Sequence, residues 1–500
     1  MTKAIEKVVI VGGGTAGWMT ALSLAKYANI SPLNITLVQA QDIETIGVGE
    51  ATIPNFVEFN RNLGIHEAEL LRQTNATFKL GIQFQDWKEK NHSFFHPFSD
   101  YGLNINNVDF HHYVLSALHH GLDVKLSDFC LSTQLANKEK FYIANELQNP
   151  LEDFGYAYHF DAGLYATLLK RNATAQGVAH KIATIEDVKC RVDGFIDHLV
   201  AQNGEMISGD LFIDCSGFRG ELIEKVLETG YERWDHWLLC DKAVAVHSES
   251  ECSLKPFTKS TAKANGWQWS IPLQNRMGNG YLYASQWESD QDAQAQLLAS
   301  LTGSALTTPR VIPFTPGRRK QIWNKNCFAV GLSTGFIEPL ESTSISLIQS
   351  AIAKLLSFFP DSSFDDALIN HVNRLHNLEV ERVRDFIILH YKLSQRTDSE
   401  FWRHCQTMSI PTSLEDKIAL FKASSSIEQR ECESFEMASW LSMYFGFDVK
   451  PKRFDPRANL MPLDALKHNL GMIKSHINQT CNQAPSHDQF VSSFLSNRKA

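Results

Sequence analysis

The segment "GFIEPLESTSI" (residues 335–345) sets one carboxylate, Glu341, against the hydroxyls of Ser342, Thr343 and Ser344. The residues after it, "SLIQSAIAKLLSF", read as an apolar helix. Amides at a helix start lack intrahelical partners and carry partial positive charge, so this start could hold a small anion beside Glu341. A serine/threonine helix cap would use the same residues and is compatible with that role. A second segment, "VIVGGGTAGWM", places Gly12, Gly14 and Gly17 at GxGxxG spacing. The first glycine permits a tight turn and the second lets backbone approach a pyrophosphate. The third lets a helix pack on a strand, and the helix start supplies positive charge. In a third segment, "GWQWSIP" (266–272), Trp267 and Trp269 stand two apart. In extended chain they share a face and would form one flat indole wall, although such a pair more often packs a core.

The elements that must position these residues follow from periodicity. "KVVIVGGGTAGWMTALSLAKYA" runs from buried strand through glycine loop into apolar helix, and "NITLVQAQ" is a second strand at βαβ distance. That context turns a weak glycine motif into a dinucleotide site. Gln39 ends the second strand, where a carboxylate usually takes the adenine ribose; its amide can still pair with a hydroxyl. Residues 62–75 read as helix and 104–180 mainly as helix. Short strands fill 181–330, and charged helices follow from about 360. The expected architecture is α/β: a mixed-sheet module, 1–358, with inserted segments at about 91–150 and 226–309. A mostly helical module, 359–485, and a frayed tail, 486–500, complete it.

Composition excludes several classes. At 500 residues the chain exceeds one compact domain. A formal charge of −9 argues against general nucleic-acid binding. No window is long and apolar enough to span a membrane, and no secretory signal opens the chain. Nine scattered cysteines without a CxxC suit reduced thiols in the cytoplasm, with neither a disulfide framework nor a metal site.

"GDLFIDCSGFRG" (209–220) reads as a strand running into a glycine turn. It resembles the late strand, ending in Asp214, of glutathione-reductase-type FAD proteins, which favours FAD over NAD. The W-x-W-x-I-P of residues 267–272 then resembles the signature of flavin-dependent halogenases. "IGVGEATIP" (46–54), "FKLGIQF" (78–84), "FHPF" (95–98) and "YAYHFDA" (156–162) agree with that family. So do "GNGYLY" (278–283), "GFIEPLESTSI" and "DFIILHYKLSQRTDSEFW" (385–402), in the family's order, to about residue 460.

The resemblance to tryptophan-halogenase-like enzymes implies an activity and a set of roles. Reduced FAD and oxygen give a flavin hydroperoxide that oxidises chloride or bromide to hypohalous acid. The acid then passes a tunnel to an electron-rich aromatic, indole-type substrate. Lys79 matches the essential lysine, acting either by hydrogen bond to the acid's oxygen or as a haloamine. Glu341 matches the essential glutamate, which stabilises the cationic ring and removes its proton. Thr343 and Ser344 match the halide-binding amides, Ser344 replacing the glycine of the tryptophan-specific enzymes, and Ile345 matches the flavin contact. Trp267, Trp269, Ile271 and Pro272 become the tunnel wall. Ala16, Gly49, Ala51, Val188 and Leu332 match further FAD contacts beside Gly12, Gly14, Gly17, Gln39 and Asp214. His96 and Phe98 match substrate-pocket positions, and Trp440 in "MASWLSMYFGF" is a candidate platform. The segment by which tryptophan-specific enzymes clasp the amino-acid backbone is not reproduced. Without a second GxGxxG, a separate NAD(P)H-dependent reductase is expected to supply FADH2, and the assembly stays open, a homodimer among the options. A single-component FAD aromatic monooxygenase is the alternative.

Overall fold

The computed structural model describes residues 3–29, 31–41, 49–143, 149–250 and 253–497. The first part of "IGVGEATIP", residues 46–48, lies outside the described residues. The chain divides into two compact units, each assembled from three stretches. The first comprises Met1–Ala76, Phe160–Asp241 and Pro313–Glu381; the second comprises Thr77–His159, Lys242–Ile312 and Arg382–Ala500.

The first unit is built on a six-stranded sheet. Its order is Trp323–Asn324, Cys327–Ala329, Leu211–Asp214, Lys7–Val11, Asn34–Gln39 and Ala179–Ile182. Lys7–Val11 lies between two parallel neighbours, with Val8 opposite both Leu211 and Ile35. Both its faces are covered, which explains the unbroken apolar run Val8–Val11. The helix Thr15–Ala28 packs on the helices Ala162–Ala175 and Ser344–Ser357.

The second unit carries a seven-stranded sheet. Its order is Arg310–Pro313, Lys242–Ser248, Met277–Tyr283, Gly266–Pro272, Thr258–Ala262, Gly81–Gln85 and Ser93–Pro97. Gly81–Gln85 joins Thr258–Ala262 in parallel, and Thr77–Lys79 pairs with residues 157–159 in a separate sheet. The first stretch of this unit starts at Thr77, upstream of the expected insert at about 91. Helices from Glu400–Thr407 to Leu463–Gln483 supply the expected helical character. Two expectations differ. The span 104–180 is interrupted by the strand Ala157–Asp161, whose alternation "AYHFD" is short. Within the expected frayed tail, His487–Asn497 form a helix, and Phe490 and Phe494 stand edge-on to Phe78 at 5.4 and 5.5 Å. Aromatic burial outweighs the polar composition there. Among the described residues no helix is long and apolar enough to cross a membrane.

Candidate active site

In the first unit the glycine loop has the form its spacing predicts. Gly12 adopts φ +118°, a conformation closed to most side chains, and a Cβ at Gly17 would strike the Gly12 carbonyl. A Cβ at Gly14 would meet nothing, so this glycine faces open space. Gly14 also starts the helix Thr15–Ala28, which has neither a side-chain cap nor an acidic residue in its first turn. Its amides are left for an anion, which is how a pyrophosphate would be held. Gln39 lies against Gly13 and accepts a hydrogen bond from His180 Nε2 at 3.2 Å.

The other candidate cofactor residues are distributed around this loop's unit. Ala16 lies beside Gly331, the first residue of the turn that carries Leu332. Gly49 and Ala51 occupy the short strand Gly49–Ala51, and Val188 the half-exposed strand Ile185–Cys190. Asp214 departs from the expected direct contact. One of its oxygens accepts from Ser216 N at 2.9 Å, Ser216 Oγ at 2.6 Å and Ser333 Oγ at 3.0 Å. The other accepts from the amides of Leu222 and Ile223, both at 2.8 Å. A carboxylate has about four lone-pair sites, so Asp214 is filled from within and shapes this turn; it is not an open acceptor.

The Glu341 segment ends in a backbone turn that leaves donors uncapped. Ser342 is left-handed at φ 59°, ψ 32°, and Thr343 precedes the helix Ser344–Ser357 with no side-chain cap bond and no acid in the first turn. The expected hydroxyl cap is therefore absent. Thr343 Oγ1 is buried without a hydrogen-bond partner. An uncapped helix start beside an unsatisfied hydroxyl suits a desolvated halide. Glu341 is buried, 1% exposed, and Ile345 is buried one residue into the helix.

In the second unit Lys79 ends the strand Thr77–Lys79 and is fully buried. Its ammonium stands 5.0 Å from the Phe98 ring centroid, a cation–π contact. Across the pair, Thr77 faces His159 and Lys79 faces Ala157. His159 is kept neutral, its pKa driven well down by burial, then by the Lys79 charge and His487.

The strap strand Gly266–Pro272 pairs with Met277–Tyr283, setting Trp269 opposite Gly280, where a Cβ would collide with the indole. Trp267 is buried and Trp269 half-buried, with centroids 6.0 Å apart and planes tilted by 57°. The wall is therefore two inclined indoles, not one flat surface: alternation sets a shared face and leaves the ring tilt free. Ile271 and Pro272 are buried at the strand's end.

His96 is buried and touches Phe98 at 6.5 Å and Phe386 at 5.8 Å. Phe386 stacks on Phe435 at 3.9 Å and meets Trp440 edge-on at 5.0 Å. The three candidate substrate residues thus join one aromatic cluster that begins beside Lys79. Trp440 Nε1 is buried without a partner, and Lys417 Nζ lies 4.0 Å from its ring centroid. Phe386 and Phe435 escaped the residue-by-residue reading. Phe386 lies within the quoted motif "DFIILHY", so its signal was present.

Residues 7–463 match the family described as tryptophan halogenase. The tryptophan 7-halogenase RebH of Lentzea aerocolonigenes is 32% identical over 98% of this chain and 99% of its own length. The tryptophan 6-halogenase SttH of Streptomyces toxytricini is 36% identical over 84% of each. BrvH, a flavin-dependent halogenase from Brevundimonas sp. BAL3, superposes with a TM-score of 0.95 and 44% identity, covering 98% of this chain and 99% of that one. With matches of this extent, the chain belongs to the tryptophan halogenase family of flavin-dependent halogenases, which use reduced FAD and a halide on aromatic substrates.

Proposed function

We propose that this halogenase acts on an indole-type or similarly electron-rich ring, with Lys79 as the residue that holds the oxidant and Glu341 as the base. The observation that carries the reading is the buried Lys79 ammonium over Phe98, at the edge of the cluster His96–Phe386–Phe435–Trp440. Reduced FAD, delivered by a separate NAD(P)H-dependent reductase, would supply two electrons to oxygen and the halide the other two, giving hypohalous acid and water. The remaining steps belong to the protein's own groups. The Gly14 helix start and the glycine turn bind the cofactor's phosphates. The amides at Thr343 and Ser344, with the Thr343 hydroxyl, hold chloride or bromide. The strap Trp267–Pro272 walls the oxidant's path and excludes bulk water.

Lys79 donates a hydrogen bond to the acid's oxygen and polarises the O–X bond. As the C–X bond forms, that oxygen takes a proton from the ammonium and leaves as water. Glu341 stabilises the ring cation and then accepts the displaced ring proton. Relatives named as tryptophan halogenases support an indole ring as substrate. The aromatic cluster supports a flat ring without requiring a free amino acid. The family match weighs against the monooxygenase alternative.

With reduced FAD, indole and bromide, the wild type should give the brominated isotope doublet by mass spectrometry. Lys79→Ala and Glu341→Ala should each lower product formation by about 10²-fold or more while retaining FAD. Turnover of either variant at the wild-type rate, or loss of FAD from both, overturns these assignments.

A further inference from the structure

The strand that presents Lys79 is held by a hydrogen-bond chain whose polarity is fully determined. Thr77 Oγ1 donates to Pro272 O at 2.7 Å, and that carbonyl has no proton to return. The Thr77 oxygen therefore accepts at its 3.0 Å contact with His159, so His159 Nδ1 carries the proton. His159 Nε2, left with its lone pair, accepts from Thr258 Oγ1 at 2.9 Å. The chain runs from Thr258 through His159 and Thr77 to the last residue of the tryptophan strap. All four residues are buried in the second unit.

Thr77 and Lys79 share a strand face by alternation, and His159 is the cross-strand partner of Thr77. We infer that His159 is a positioning residue for halogenation: as the neutral Nδ1–H tautomer it orients the Thr77 hydroxyl that ties the Lys79 strand to the Pro272 end of the strap. The inference rests on the proposed role of Lys79. Imidazole suits the task because one ring supplies a donor and an acceptor on opposite sides. A protonated ring would offer two donors, break the bond from Thr258 and set a second cation beside Lys79. Burial and the Lys79 charge both keep that form unpopulated. Removing the chain would let the ammonium drift relative to the wall that delivers the oxidant, and a misplacement of about 1 Å can cost about 10²-fold in rate.

The test separates positioning from folding by following where the oxidant goes. Wild type, His159→Leu, His159→Asn, Thr77→Val and the Thr77→Val/His159→Leu pair are compared with Lys79→Ala. For each, brominated indole, free hypobromite captured by a β-diketone trap, FAD affinity and Tm are measured. His159→Leu should lower kcat for bromoindole by roughly 10- to 100-fold with KM and FAD affinity unchanged. Total oxidant should stay at the wild-type level, so the trapped fraction rises. His159→Asn, which keeps a donor toward Thr77, should recover most of the loss. Thr77→Val should show the same redistribution, and the pair should be no worse than His159→Leu alone. Unchanged partition between product and trap in His159→Leu and Thr77→Val overturns the inference. A parallel fall of product and total oxidant, with lowered Tm, also overturns it, since the chain would then be merely structural. Wild-type activity in Lys79→Ala would instead overturn the Lys79 reading on which this one depends.

Discussion

Thr343 Oγ1 is buried and unpartnered at an uncapped helix start, an arrangement that costs stability unless a ligand completes it. Thr343→Val should therefore leave Tm unchanged or slightly raised. The same variant should raise the KM for bromide by about 10-fold, in line with a hydrogen bond to a charged group. Steady-state bromination across a bromide series checks both halves, and an unchanged KM would remove Thr343 from the halide site. Lys79 shows the limit of reading residues singly. A lysine in "FKLGIQF" looks like any solvated cation until its strand is seen to be buried, with Phe98 beneath its ammonium. Its proposed role was legible only through the surrounding motif. The same holds for Glu341, whose burial no local pattern announces.

Among the elements, the glycine loop was the most legible because its chemistry is local. Strand, turn and helix are contiguous, and the demands on Gly12 and Gly17 are visible in the backbone itself. Two substitutions separate those reasons. Gly17→Ala should destabilise the first unit, since its Cβ meets the Gly12 carbonyl. Gly14→Ala should leave the stability of the FAD-free protein within about 0.5 kcal/mol of wild type, its Cβ meeting nothing, yet weaken FAD binding at the helix start. Thermal unfolding with and without FAD distinguishes the two. Less legible were elements whose meaning depends on distant partners. Asp214 looked like a cofactor acceptor, but donors from Ser216, Leu222, Ile223 and Ser333 fill it. The flat tryptophan wall failed because alternation gives a shared face without fixing the tilt. The supposed tail is a helix because Phe490 and Phe494 find Phe78, a match between segments some 400 residues apart.

Across the whole molecule, buried neutral histidines set the acid limit. Burial lowers His111 and His376 to about 3 and His487 to about 4, and drives His159 well down. Each is unprotonated when folded at neutral pH but titrates near 6.5 when unfolded. Their contribution is therefore intact above about 6.5 and falls away as pH drops toward 4, because protons bind the unfolded chain first. Thermal scans from pH 7.5 to 4.5 should show Tm falling below 6.5, well before most carboxylates protonate. His111, His159 and His487 all lie in the second unit, so that unit should unfold first in acid. A flat Tm over this range would contradict the burial of these rings. His487 has one more consequence. Its Nδ1 donates to Leu254 O at 3.0 Å, leaving Nε2 to accept the Phe78 amide at 3.2 Å, a contact spanning 409 positions of sequence. During translation the lysine's strand leaves the ribosome long before the imidazole that completes its edge. The edge of that strand thus acquires this partner only once His487 has been made, so a product truncated before it would leave the Phe78 amide without this acceptor.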